Sequence, residues 1–310
     1  MKINLANIKK AKKFLYKNEC IAIPTETVYG LAGNAFSDKA CKKVFKLKKR
    51  PKNNPLIVHY YNYQDLEKDC KLNENFFKLY KKFCPGPITF ILNLRKNSKV
   101  SKIVTNKKTT LAARFPEHPI TRSLLKQIAF PLAAPSANIS SRLSPVCSND
   151  VKEDFGKKIK FVLDGGRSSI GIESTIIDIR NKPKILRLGG IDLSAIKKIL
   201  RSKLIIDNSP AKISAPGQSK IHYSPGIPIR LKAKKAKNDE AFLFINKKKL
   251  AKANYYFLSK KGDLNEAAKN LYSTLRKIKN NKYKSIAVAK IPNKGMGKTI
   301  NDRLTRASKF

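Results

Sequence analysis

Histidine and cysteine are scarce in this chain, and acidic residues are few. Three histidines, His59, His118 and His222, are spread over 310 residues, too few for a histidine-rich metal centre. The five cysteines, Cys20, Cys41, Cys70, Cys84 and Cys147, are odd in number and widely spaced, with no C-x-x-C pair. Neither a disulfide framework nor a zinc site follows, and reduced, mostly buried thiols are expected. No apolar run approaches the roughly 18 residues that would span a membrane. The N-terminus lacks the compact apolar stretch and small-residue cleavage site of a secretory leader. Leu5, Ile8 and Leu15, separated by lysines, predict an amphipathic first helix instead. A cytoplasmic protein with no membrane partner is expected.

The shortage of acid is large: 67 Lys and Arg face 21 Asp and Glu, a net charge of +46. Clustered cations would point to nucleic acid, because they displace phosphate counterions. The excess is not clustered. Residues 229–310 hold 23 Lys or Arg and 5 Asp or Glu, and the rest of the chain is basic as well. A Lys-rich composition is the preferred account, with weak RNA binding as the second, so charge alone does not set the function. The length suffices for two domains, and a 41% apolar fraction suits a globular protein.

Apolar strands and amphipathic helices alternate through the first two hundred residues. Strands are predicted at 20–24, 55–60, 88–94, 109–115, 131–135, 161–164, 174–179 and 184–188, with helices at 38–48 and near 118–128. This reads as a mixed α/β, α+β-like domain with one large twisted sheet over 1–201. Residues 202–228 are rich in Pro, Gly and Ser without apolar periodicity, and read as a linker. Strands at 241–245, 255–258 and 285–289, with a helix near 263–279, predict a small α/β domain over 229–310.

Five segments carry candidate chemistry. P-T-E-T-V-Y-G at 24–30 follows a strand, so Thr25 and Thr27 either meet a ligand at a sheet edge or cap their own turn. Glu26 offers a partner for a basic group or a metal. K-K-R-P-K-N-N-P at 48–55 sets cations before a turn, where they hold phosphate or simply face solvent. Arg114, near the end of an apolar strand, needs a pair: a bound carboxylate or a structural salt bridge. P-L-A-A-P-S-A-N-I-S at 131–140 allows close backbone approach, with Ser136 and Asn138 as polar contacts or turn caps. The glycines of L-D-G-G-R-S-S-I-G at 163–171 suit a loop around an anion. G-M-G-K-T at 295–299 is not a phosphate loop, because Pro292 stands where its first glycine belongs.

In order, P-T-E-T-V-Y-G-L, K-x-R-P-x-x-N-P-L-I-x-H, P-G-P-I-T, A-x-R-F-P, A-A-P-S-A-N-I-S, D-G-G and I-E-S-T-I-I-D resemble the YrdC-like family of threonylcarbamoyl-AMP synthases. The linker, A-P-G-Q-S-K-I-H-Y-S-P, and the ending, G-M-G-K-T-I-N-D-R-L-T-R-A-S, resemble its longer form, with a smaller Rossmann-like C-terminal domain. R-L-G-G at 187–190 departs from the frequent R-P-G-G but keeps Arg187.

The resemblance implies an AMP-forming nucleotidyltransferase: L-threonine, bicarbonate or carbon dioxide, and ATP give threonylcarbamoyl-AMP and pyrophosphate. The product would serve a downstream tRNA threonylcarbamoyl-transferase machinery that modifies the adenosine beside the anticodon. By resemblance, Thr27, His59, Arg114, Ala134 and Ser174 match threonine-binding positions. Arg50, Asn54, Thr110, Ser136, Ser144, Arg187, His222 and Tyr223 match nucleotide-binding ones, and Asn138 belongs to the family's S-x-N signature. Lys48 and Arg50 are expected to stabilise phosphate. Mg2+ is expected on ATP, with no protein metal ligand assigned. The linker is expected to act as a lid, slowing hydrogen exchange over 214–226 on substrate binding. A non-catalytic RNA-binding module and a carbamoyl-transfer domain of the hydrogenase-maturation type are the alternatives. The second usually carries acylphosphatase and zinc-finger-like modules, which this chain lacks.

Overall fold

The computed structural model describes residues 4–202, 204–207, 222–246 and 252–309. The first part of the chain runs α1 (Leu5–Tyr16), β1 (Ile21–Ile23), β2 (Gly30–Asn34), α2 (Asp38–Lys48), β3 (Ile57–His59), α3 (Tyr63–Asp69) and β4 (Cys70–Lys71). It continues with α4 (Glu74–Phe83), β5 (Ile88–Leu94), α5 (Lys102–Thr105), β6 (Thr110–Arg114), α6 (Pro119–Lys126), β7 (Leu132–Ala133) and α7 (Ser148–Phe155). Then come β8 (Thr175–Asp178), β9 (Lys184–Arg187), α8 (Leu193–Leu200) and β10 (Ile205–Ile206). The second part holds β11 (Ile229–Arg230), β12 (Glu240–Asn246), β13 (Tyr255–Ser259), α9 (Leu264–Asn280), β14 (Ser285–Val288) and α10 (Met296–Ala307).

The ten strands of the first part form one mixed sheet, ordered β1-β2-β7-β3-β6-β5-β8-β9-β10, with β4 beside β5. The four of the second form a parallel sheet, β11-β14-β12-β13. The architecture is the expected two-domain, mixed α/β one. Helix boundaries follow local chemistry. Ser37 caps α2 by accepting the Ala40 N–H at 3.2 Å, and Lys49, in the left-handed region, ends it. The first helix forms as expected, burying Ile8 and Leu15, while Leu5 stays exposed. No strand forms at 161–164; Val162 makes a single bridge to Ala22 before the chain turns. Of the predicted linker, residues 203 and 208–221 lie outside the described residues, and Ile205–Ile206 pair with β9. All five cysteines are free. Among the described residues, no helix is long and apolar enough to cross a membrane.

The two parts share a core. Val28, Leu143, Val146 and Ile172 of the first pack with Leu271, Tyr272, Ile300 and Leu304 of the second. Approach is close at Gly171, whose φ is +70° and where a Cβ would lie 2.3 Å from the Lys269 carbonyl of α9. The centre of this contact is polar. Glu173 accepts the Ser144 hydroxyl at 2.6 Å, the Tyr272 hydroxyl at 2.9 Å and Arg303 Nε at 2.9 Å. Burial alone would raise the Glu173 carboxyl; Arg303, Arg187 and the Ser144 hydrogen bond outweigh it and hold it at about 2.

The pH dependence of stability follows from that depression. The unfolded carboxyl, near 4.5, takes up a proton that the folded one refuses until about 2. The contribution is therefore complete above about pH 4.5 and is lost as pH falls toward 2. Denaturant titrations between pH 6 and 2.5 should show a steeper acid loss in the natural chain than in Glu173→Gln. Equal slopes would remove Glu173 from the account. Glu173→Ala, which leaves the buried Arg303 with Asp302 as its remaining carboxylate and takes the acceptor from the Ser144 and Tyr272 hydroxyls, should cost about 3 kcal/mol at pH 7.

Candidate functional site

Strand register brings the site together. In the parallel pair β3–β6, His59 lies opposite Arg114. In the antiparallel pair β5–β6, Arg114 lies opposite Thr89. In the parallel pair β5–β8, Ile88 lies opposite Thr175, so Ser174 enters at the same edge. The loop after β1 adds Thr27, the end of β7 adds Ala134, and the end of β9 adds Arg187. Thr27, His59, Arg114, Ala134, Ser174 and Arg187 line one cavity of about 530 Å³, its open mouth included, together with Arg50, Ser136, His222 and Tyr223. Every threonine-binding position implied by the resemblance is on that wall.

Thr25 and Thr27 divide their two readings. Thr25 Oγ1 donates to the Val28 carbonyl at 2.6 Å and accepts the Thr27 and Val28 N–H groups, a capped turn. Thr27 lies 2.8 Å from the Thr25 hydroxyl on the cavity wall. Arg114 has its structural pair: Nη2 donates to Glu26 Oε1 at 2.6 Å, and Glu26 Oε2 accepts the Glu117 N–H at 3.0 Å. The Arg114 Nε–H is nevertheless buried with no hydrogen-bond partner, and so is Nδ1 of His59 beside it. Burial and the neighbouring guanidinium push His59 down to about 3, so its imidazole is neutral at physiological pH. Ser174 shares a 2.8 Å hydrogen bond with Thr89 and accepts Arg187 Nη2 at 2.9 Å. Gly189 permits this, since a Cβ there would stand 2.2 Å from the Thr175 nitrogen.

The remaining expected residues stand behind the wall or along the strands. Arg50 donates to both the carbonyl and Oδ1 of Asn54, at 3.0 and 2.6 Å, and to the Pro55 carbonyl. Asn54 thus aims Arg50 and does not line the cavity. Ser144 holds Glu173. Lys48, expected on phosphate, is 1% exposed and donates to the Ser136 and Asn138 carbonyls and to Asn138 Oδ1. Burial, with Arg50 nearby, lowers its pKa well below the usual lysine value. Its ammonium is committed to shaping the 136–138 loop, because those carbonyls converge at the C-terminal end of α2. Asn138 completes the same loop by donating to the Ile139 and Arg142 carbonyls. Thr110 opens β6 and lines a smaller cleft with Pro55 and Leu56. At about 3.3 Å per residue, it lies roughly 13 Å from Arg114 along the strand.

Sequence reasoning missed Glu173, Tyr272 and Arg303. Glu173 had a signal: an acid inside the apolar run I-G-I-E-S-T-I-I is costly to bury without cationic partners. Nothing local marks Arg303 among so many cations. His222 and Tyr223 close the cavity from the second-domain side. Their rings are 4.0 Å apart; His222 is pushed down to about 3 by burial, and both His222 Nδ1 and the Tyr223 hydroxyl are buried without a partner.

Two family descriptions match the chain: telomere recombination over residues 13–189, and threonylcarbamoyl-AMP synthase, C-terminal domain, over residues 191–309. The threonylcarbamoyl-AMP synthase of Pyrococcus abyssi is 34% identical, across 98% of this chain and 94% of its own length. That of Bacillus subtilis is 33% identical with the same coverage. The crystal structure of P. abyssi Sua5 complexed with L-threonine superposes with a TM-score of 0.90 at 32% identity, covering 100% of this chain and 96% of the other. With these matches laid over a two-sheet fold and a converging cavity, the chain belongs to the YrdC-like threonylcarbamoyl-AMP synthase family, in its longer two-domain form.

Proposed function

We propose that this protein is an L-threonylcarbamoyladenylate synthase, an AMP-forming nucleotidyltransferase. Its reaction joins L-threonine, bicarbonate and ATP into threonylcarbamoyl-AMP, with release of pyrophosphate and water. The observation that carries the reading is the pair of buried, unpartnered nitrogens, Arg114 Nε and His59 Nδ1, in a cavity that Arg50 and Arg187 also line. Buried polar atoms without a protein partner are rare, and a ligand in this cavity would meet these two. A carboxylate suits the Arg114 fork; phosphate oxygens suit Arg50 and Arg187.

The strands order the substrates. Threonine lies at the C-terminal ends of β3 and β6, against His59, Arg114, Thr27, Ala134 and Ser174. The nucleotide extends toward Asn54 and Thr110 at their N-terminal ends, with Arg50, Ser136 and Arg187 between and His222 and Tyr223 above. Lys48, Asn138 and Ser144 hold this wall from behind. The threonine amine adds to carbon dioxide and loses a proton, forming a carbamate. A carbamate oxygen attacks the α-phosphorus, and pyrophosphate leaves with the electron pair of the broken P–O bond. The protein aligns three components and neutralises charge through fixed guanidinium groups; no side chain need be a covalent nucleophile. ATP enters as its Mg2+ complex, the ion held by phosphate oxygens and water. Glu26 and Glu173 are poor ligands for it, because both carboxylates are already occupied by cations and N–H or O–H donors. Closure by residues around His222 and Tyr223 excludes water from a labile adenylate. The product then passes to a tRNA threonylcarbamoyl-transferase in the cytoplasm.

Mass spectrometry of a reaction holding ATP, Mg2+, bicarbonate and L-threonine should find threonylcarbamoyl-AMP. Pyrophosphate release that ignores threonine, or none at all, would overturn the reading. Arg50→Ala should lower ATP turnover about ten- to hundredfold, from a charge-assisted contact of about 1.5–3 kcal/mol, with L-threonine affinity kept. Wild-type turnover in that variant would remove Arg50 from the phosphates. L-Threonine should be preferred over L-serine and L-valine: loss of the methyl costs about 1–3 kcal/mol, and an unpaired hydroxyl-binding group costs more. Equal product from all three would contradict a threonine pocket.

A further inference from the structure

Tyr223 is held in an unfavourable backbone state. Its φ is +64°, the left-handed region that bulky side chains avoid, yet it is 1% exposed and lines the cavity. Such a conformation persists only where the surroundings over-determine it. Most of the surroundings come from the second domain. The Arg303 guanidinium lies over the Tyr223 ring, 4.7 Å from its centroid, and the Tyr272 ring stacks on it at 5.9 Å and 22°.

Arg303 is fully buried, and each of its three guanidinium nitrogens donates a hydrogen bond. Nε donates to Glu173, Nη2 to the Leu188 carbonyl at 2.7 Å, and Nη1 to Asp302 at 2.6 Å. Two of these partners adjoin cavity residues: Glu173 precedes Ser174, and Leu188 follows Arg187. The guanidinium is therefore fixed to the cavity floor by its edge and to the cavity roof by its face. A desolvated contact of this kind between cation and ring is among the stronger ones.

We propose that Arg303 is a positioning residue for the reaction: it sets Tyr223 against the nucleotide side of the site and thereby makes that side depend on seating of the second domain. The inference rests on reading the cavity as a nucleotide pocket. It locates the dependence on ATP rather than on threonine, since Tyr223 stands on the nucleotide side and, of the five threonine positions, only Ser174 adjoins a residue that Arg303 holds.

Arg303→Lys keeps a positive charge for Glu173 but loses the flat face, which lysine does not replace. The variant should raise the KM for ATP about tenfold, while L-threonine affinity stays within twofold and thermal unfolding shifts by only a few degrees. Combined with Tyr223→Leu, it should be no worse than Tyr223→Leu alone, since both remove the same contact. An unchanged ATP KM in Arg303→Lys, effects that multiply in the double variant, or equal losses for ATP and threonine would overturn the proposal. Should Arg303→Lys not fold, Glu173→Gln/Arg303→Met against Glu173→Gln makes the same comparison without an uncompensated charge. Hydrogen exchange separates this inference from the proposed reaction. In ligand-free protein, the Ser224 amide, bonded to the Ser141 carbonyl at 2.8 Å, should exchange faster in Arg303→Lys whatever the enzyme makes. Unchanged exchange there would also count against the proposal.

Discussion

The buried ion pair between Glu173 and Arg303 is the contact on which the two domains and the cavity jointly depend. Burying both charges carries a desolvation cost of several kcal/mol each, and their attraction offsets it only when the remaining donors and acceptors are satisfied. Here Ser144 and Tyr272 donate to the carboxylate as well, and the guanidinium also donates to Leu188 and Asp302. Hydrophobic packing between Val28, Ile172, Leu271 and Ile300 has no directional preference and would tolerate small sliding. The polar pair does not. It fixes the register of α10 against the segments that present Ser174 and Arg187, so the second domain is seated in one way only.

The cavity it supports is unusual in its charge. Arg50, Arg114 and Arg187 line it, Lys48 lies directly behind, and the nearby carboxylates Glu26 and Glu173 are each committed to an arginine. Cations crowded in a low-dielectric space repel one another, and burial with Arg187 beside it lowers Arg50 to about 9. An anion among them would offset that repulsion. Neutral His59 and His222 avoid adding to it. An arrangement that is electrostatically uneasy alone and balanced by anions suits the cavity to anionic ligands.

Much of this was legible in the chain. The apolar runs ending in His59 and Arg114 predicted two strands, and parallel register alone sets those residues side by side. Less legible was β2, where G-L-A-G-N has little strand propensity and is fixed by pairing on both sides. F-V-L-D at 161–164 has the composition of a strand but no neighbour beyond Ala22, so it bridges once and turns. Lys48 and Arg50, two residues apart, look alike in sequence and differ in space. The last turn of α2 directs Lys48 inward to carbonyls, whereas the residue past the left-handed Lys49 swings out to the cavity. A side chain's role at a helix end depends on which carbonyls converge there, and that is a property of the tertiary fold.

The same distinction applies to the net charge. Surface lysines such as Lys68, Lys260 and Lys284 are exposed, and their fields fall off within about 8–10 Å at ordinary ionic strength. They raise the local concentration of any anion without selecting one. The selective cations are the few that are buried, hydrogen-bonded in plane and aimed by a second residue: Arg50 by Asn54, Arg114 by Glu26, Arg187 by Ser174. Pre-organisation of that kind places charge at a definite distance from a substrate atom, and it would be pointless on a surface that merely gathers polyanions. Steering and a built site are therefore separable in this chain. Composition supplies the first, and the interlocked arginines, carboxylates and rings at the domain junction supply the second.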